Sequence, residues 1–221
     1  MQNTKRRDLK HRLTQLTSEV DKNDLVAMGS FEGMLTVLKK MKFVSEESIL
    51  LKGRIAREVD VYVAEILIEA VLNPLDPMEL AALLSGFVNQ YREKDNKRNR
   101  DKHIKQTPKH PKDTYTDNLT EAIDKTIDIV RKFNIIEMDN KAFPVNSEDD
   151  LLNSILNFHL ARTVYDWATG MDFIDICRNT DAPEGAIVKT IMRLDILFRN
   201  LKSGCNIIGN TTLVEKIEAA S

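Results

Sequence analysis

Between Val164 and Asn200 the chain reads VYDWATGMDFIDICRNTDAPEGAIVKTIMRLDILFRN, and only the helical period organises it. Ile187, Ile191, Leu194, Phe198 and Leu201 follow one another at spacings of four, three, four and three, which places them on one stripe of a long helix. Thr180-Asp181-Ala182-Pro183-Glu184 reads as its opening: Asp181 is placed to accept from a free amide of the first turn, and Pro183 presets φ near the start. A second stripe, Lys189, Arg193, Ile196 and Asn200, is cationic for its first two turns. One face is suited to a core and the other to water or an anion. Before the long helix, Gly170 marks a turn and residues 172–178 a short helix with Phe173, Ile174 and Cys177 on one side. The outline is a helix-turn-helix, a unit that packs against larger helical bodies as well as entering DNA grooves.

The rest of the chain keeps the same period. Glycine is scarce, at eight of 221 residues, and strand-like alternation is hard to find, so the fold class is all-α, a helical bundle. Residues 4–20 carry Leu9, Leu13 and Leu16 as a narrow seam in a strongly cationic helix, and residues 25–44 form a further helix weakened by Gly29 and Gly33. Lys52-Gly53-Arg54 reads as a tight basic turn. Ile55, Val59, Val63, Ile66, Leu67 and Val71 then predict one central helix. Asp76 and Pro77 open the next, with Leu80, Leu83, Leu84, Phe87 and Val88, and the two form the scaffold. Residues 92–114 are almost devoid of apolar side chains and are expected to be a mobile polar loop. Leu119, Ile123, Ile127 and Val130 predict an amphipathic helix, and Phe143-Pro144 a turn. Leu152, Leu156, Leu160, Val164 and Trp167 predict a single helix over 148–168 whose tryptophan is largely buried. A break at 207–210 precedes a last helical period carrying Leu213 and Ile217.

Charge and chemistry narrow the function. With 32 basic and 34 acidic residues there is no global field to hold nucleic acid, so any such binding rests on a local stripe. Cys177 and Cys205 are the only cysteines and are expected to be buried thiols in a reducing compartment; the four histidines lack ligand spacing, so no metal site is expected. No apolar run reaches the length of a membrane span, which predicts an intracellular soluble protein. Neither a G-x-x-x-x-G-K-[ST] loop nor an acidic DExH tetrad is present, so this chain by itself is not expected to hydrolyse ATP.

Five blocks in order carry a resemblance: Lys52-Gly53-Arg54-Ile55-Ala56 followed by Glu58; Ala82-Leu83-Leu84-Ser85; Val164-Tyr165-x-Trp167 with Gly170; Glu184-Gly185 followed by Arg193-Leu194; and Ile208-Gly209-Asn210-x-x-Leu213. Over about residues 25–217 the chain resembles the C-terminal helical (DSHCT) domain of the Ski2-like DExH-box RNA helicases, the superkiller helicase and its nuclear counterpart. The resemblance implies that residues 1–45 are the end of a helical stalk, or arch, and that residues 46–221 are the helical domain. It implies an ATP-dependent 3'-5' helicase that feeds RNA to the exosome, with ATP and magnesium held by RecA-like motor domains outside this chain. The partners implied are single-stranded RNA, those motor domains, and exosome or exosome-adaptor proteins; no membrane is expected, and the location is nucleus or cytoplasm. The long helix becomes the family's ratchet helix, with the ratchet arginine on Arg193 and the basic residue one turn earlier on Lys189. With Asn200 on the same stripe and Arg54 in the basic turn, they make up the expected RNA-binding set, and no catalytic residue is expected. The family often has an acid three positions after the ratchet arginine, where this sequence has Ile196; Tyr91 and Arg57 also depart from its pattern. Two other readings remain beside this one: a freestanding protein-interaction module without an RNA channel, and a winged-helix-like DNA reader, which the near-neutral charge disfavours.

Overall fold

The computed structural model describes residue 12 and residues 31–92, 116–140 and 147–220. The leucine seam of residues 4–20, most of the proposed stalk, nearly all of the 92–114 loop and the Phe143-Pro144 turn lie outside the described residues. Among the described residues the structure is all-α: no strand forms, and the one pairing of extended backbone is an isolated antiparallel bridge between Val44 and Ile49. No helix among them is long and apolar enough to cross a membrane.

Residues 31–40 form helix α1, which stops well before Val44 because Lys42 takes a left-handed conformation, φ 61°. The single helix expected over 55–71 is two, α2 (Leu51–Ala56) and α3 (Val61–Ile68). Asp60 makes the break, since its side chain accepts from the Tyr62 amide at 3.0 Å and starts a new helix there instead of continuing the old one. The predicted apolar residues are nonetheless all in the core: Ile55, Val59, Val63, Ile66, Leu67 and Val71 are buried. Lys52-Gly53-Arg54 is likewise not a turn but part of α2. Gly53 is required there because a β-carbon would lie 2.3 Å from the Phe43 carbonyl oxygen.

Helix α4 (Pro77–Val88) is the axis of the bundle. Its start follows the sequence signal, with a full capping box: the Glu79 amide donates to Asp76 Oδ1 at 2.8 Å and the Asp76 amide to Glu79 Oε2 at 2.9 Å. Leu80 through Ser85 are inaccessible to solvent on every side, as expected of a helix packed against α5 (Asp117–Asp139), α7 (Ala161–Ala168), α9 (Glu184–Ile208) and α10 (Thr211–Ala220).

The expected helix over 148–168 is also broken. It becomes α6 (Glu148–Ile155), a 3-10 turn (Phe158–Leu160) and α7. Asn157 leaves the helical ladder to bond elsewhere: its amide donates to the Gly86 carbonyl at 2.8 Å and its side chain to the Tyr91 carbonyl at 2.6 Å. Trp167 is mostly buried, as the sequence leads one to expect. It stands where the main core meets a small second cluster of Leu160, Ile176, Ala182 and Ile187. In α8 (Phe173–Arg178) the inward residue is Ile176, whereas Phe173 and Ile174 are 39% and 66% exposed; of the side read from the sequence only Cys177 packs against the second cluster. Of the two thiols, Cys205 is fully enclosed, which pushes its pKa up to about 11, and Cys177 is only half-buried.

A buried polar contact ties α3 to α5. The Tyr62 hydroxyl donates to Glu137 Oε1 at 3.1 Å, while Glu137 Oε2 is buried with no hydrogen-bond partner among the described residues. Burial raises the Glu137 pKa above 4.5, Asp60 adds to the rise, and the tyrosine bond offsets part of it. The folded state therefore holds this proton more tightly than the unfolded chain does. The contribution to stability is greatest below the unfolded pKa and is lost as pH rises through the higher folded value. Glu137→Gln is expected to remove this component. Thermal melts between acid and neutral pH should show the variant gaining on the wild type as pH rises, and a pH-independent gap would exclude burial of the charge as the cause.

Candidate nucleic-acid interface

Helix α9 runs for 25 residues, roughly 37 Å at 1.5 Å per residue. Its opening differs from the sequence expectation. Pro183 occupies the capping position with no side-chain bond, and the hydroxyl of Thr180, not the carboxylate of Asp181, takes a nearby amide, that of Ala182 at 3.3 Å. The far end is closed by Gly209 in the left-handed conformation, φ 72°, with the Asn210 amide returning to the Cys205 carbonyl at 3.1 Å.

The inner face is the one read from the sequence. Ile187, Leu194, Phe198, Leu201 and Cys205 are buried, and Ile191 is half-buried against the second cluster. Gly204 lets α2 come close, since a β-carbon there would sit 3.3 Å from Ile55 Cγ2. Fixing this face fixes the other, at 100° per residue. Lys189 and Asn200 are exposed and Arg193 is half-buried, the three within roughly 40° of one another around the axis.

Lys189 and Arg193 make no ion pair or side-chain hydrogen bond among the described residues, whereas other cations of the same helix do. Arg199 pairs with Asp195, and Lys202 with Glu218 at 2.7 Å. The sequence explains the difference. The positions three and four residues from Lys189 hold Gly185, Ala186, Met192 and Arg193, and those from Arg193 hold Lys189, Thr190, Ile196 and Leu197. None is acidic, and Ile196 occupies the place from which an acid would reach Arg193. The two cations one turn apart repel each other weakly, a cost that an anion laid across them would relieve.

Arg54 is exposed, but it belongs to α2, which meets α9 at Gly204, roughly 16 Å along the axis from Arg193. The structure thus brings Lys189, Arg193 and Asn200 onto one face and leaves Arg54 at its far end. A separate polar cleft of about 270 Å³, lined by His159, Thr163, Asn179 and the Arg162–Asp166 pair among others, lies beside the start of α9.

The sequence profile of the DSHCT (NUC185) domain matches residues 46–221, most of the chain. The chain belongs to the DSHCT domain family. Among curated relatives it is similar to the DExH-box ATP-dependent RNA helicase DExH11 of Arabidopsis thaliana, 31% identical over 97% of this chain and 15% of the relative. The antiviral helicase SKI2 of Saccharomyces cerevisiae is 26% identical over 96% of this chain and 16% of its own length. The exosome RNA helicase MTR4 of Homo sapiens is 27% identical over 81% of this chain and 16% of its own. The chain therefore spans about one-sixth of the length of these relatives.

Among the exposed apolar residues of α9, the sequence places Ile196 on the outer stripe but does not single out Val188 and Met192. Val188, Met192 and Ile196 are 43%, 63% and 56% exposed. The signal available was their position off the Ile187–Leu201 stripe.

Proposed function

We propose that this DSHCT chain is the RNA-guiding helical module of an ATP-dependent 3'-5' RNA helicase that acts with the exosome in RNA decay or processing. The observation that carries the reading is the pair of cations with no ion-pair partner among the described residues, Lys189 and Arg193, on the outer face of a helix whose inner face is locked into the core. Family membership and the helicase relatives support it. In this reading the single strand passes along α9. Arg193 stacks on a base or clamps a phosphate, Lys189 supplies a more diffuse attraction, and Asn200 and Arg54 extend the path. The RecA-like motor domains, with their ATP and magnesium, move the strand past this fixed helix, and exosome or adaptor proteins receive it, in nucleus or cytoplasm.

Arg193→Ala is expected to weaken single-stranded RNA binding by roughly 1 to 3 kcal/mol with little change in melting temperature. Lys189→Ala should act mainly by flattening the salt dependence of the affinity. Titrations at two salt concentrations, beside thermal melts, check both. Unchanged affinity with a lowered melting temperature for Arg193→Ala would sink the assignment. A second reading, a freestanding protein-interaction module, draws on the exposed Phe173 and Ile174 of α8; RNA affinity that is absent at low salt would favour it.

A further inference from the structure

Helix α9 exposes more than its cations. Val188, Met192 and Ile196 recur every four residues and form a ridge rising roughly 12 Å along the helix. A single exposed apolar side chain is ordinary, but three in one row on a helix with a complete core face form a patch with something to cover. The ridge also abuts the cations. Met192 lies three residues from Lys189, and Ile196 lies three from Arg193 and four from Asn200, so these side chains are neighbours on the helix surface.

Resting on the strand-guiding reading above, we infer that Met192 and Ile196 form an apolar platform for the faces of RNA bases while Lys189 and Arg193 take the adjoining phosphates. Charge complementarity selects this occupant. A protein partner matching the ridge alone would leave two unpaired cations at its edge, whereas a single-stranded nucleic acid presents an apolar face and an anion in every repeat. The thioether of Met192 is polarisable and unbranched, and suits contact with an aromatic ring of changing identity. Neither Met192 nor Ile196 offers a strong hydrogen-bonding group, so this platform senses that a base is present without distinguishing which base. Ile196 has a second effect. Filling the position three residues after Arg193 with a hydrocarbon denies the guanidinium an intrahelical carboxylate and keeps it free for the strand.

The test compares a short oligouridylate with an abasic ribose-phosphate strand of equal length, and with oligoadenylate and oligocytidylate. The abasic strand is expected to bind the wild-type chain about fivefold more weakly, the loss from leaving a few tens of square ångströms of apolar surface in water. The three base-bearing strands should agree within about threefold. The Met192→Ser/Ile196→Ser variant should bind oligouridylate only as well as the abasic strand and melt like the wild type. Ile196→Glu should weaken both strands by capturing Arg193. Equal wild-type affinity for oligouridylate and the abasic strand, unchanged in the double variant, would overturn the platform and leave the cationic strand path standing. Binding of neither strand would overturn the path itself. Undiminished RNA affinity in the double variant, with lost association to helicase motor domains, would overturn the platform by making the ridge a protein contact.

Discussion

Replacing Lys52 with methionine is expected to cost about 3 to 5 kcal/mol of folding stability, because it strands a carboxylate inside the bundle. Lys52, on α2, places its ammonium 2.7 and 2.8 Å from the two oxygens of Glu65, on α3. The Glu65 side chain is 7% exposed and that of Lys52 21%, so water replaces little of the lost interaction. The ammonium also stands 5.9 Å from the centre of the Phe43 ring, on the segment whose carbonyl presses against Gly53. The pair therefore holds together three pieces of chain whose helices are too short to be stable alone. Its value lies in the match and not in the charges. The double variant Lys52→Met/Glu65→Leu removes both desolvation costs and should recover most of the loss. Denaturant unfolding of the wild type, both single variants and the double variant measures this directly. A single-variant loss no larger than about 1 kcal/mol, the range of an exposed ion pair, would mean that water reaches Glu65 in solution.

What could be read from the sequence is what local chemistry decides. The α4 capping box is made by Asp76 and Glu79, three residues apart, and the turns at Gly170 and Gly209 each need only one residue with φ of 87° and 72°. The buried stripes of α5 and α9 follow from period alone. Two of the failures, at Asn157 and at Gly53, were set by partners elsewhere in the chain. Leu152 to Trp167 keeps a helical period, yet Asn157 breaks it by bonding to Gly86 and Tyr91, 71 and 66 residues away. Gly53 looked like a turn residue; it is a contact residue, and the carbonyl that demands it belongs to Phe43. Ile176 went inward instead of Phe173 because a six-residue helix has too few apolar positions for periodicity to choose between faces. At the candidate interface the row Lys189–Arg193–Asn200 was legible. That it makes no ion pair among the described residues was half legible: the helix's own neighbours hold no acid, but whether another described element brings one is known only from the fold.

The two faces of α9 should answer truncation in opposite ways, and the contrast tests the assignment of inside and outside. Phe198 is 1% exposed and lies on the stripe with Leu194 and Leu201, where α9 meets α4, α2 and α10. Phe198→Ala leaves a ring-sized cavity between helices that cannot collapse freely, since Gly204 already lies against Ile55 and Leu67. The expected loss is about 3 to 5 kcal/mol. Met192, 63% exposed and six residues earlier, should lose no more than about 0.5 kcal/mol on truncation to alanine. The functional effects should be reversed. Where the Phe198→Ala chain remains folded, its outward side chains are intact and its RNA affinity per folded molecule is largely retained, whereas Met192→Ala weakens binding without unfolding anything. Thermal or urea melts paired with RNA titrations at a temperature well below both transitions separate the two effects. A destabilisation by Met192→Ala comparable to that of Phe198→Ala would mean that the outer face of α9 is covered in solution, and the strand path would then have to be sought on another surface of the bundle.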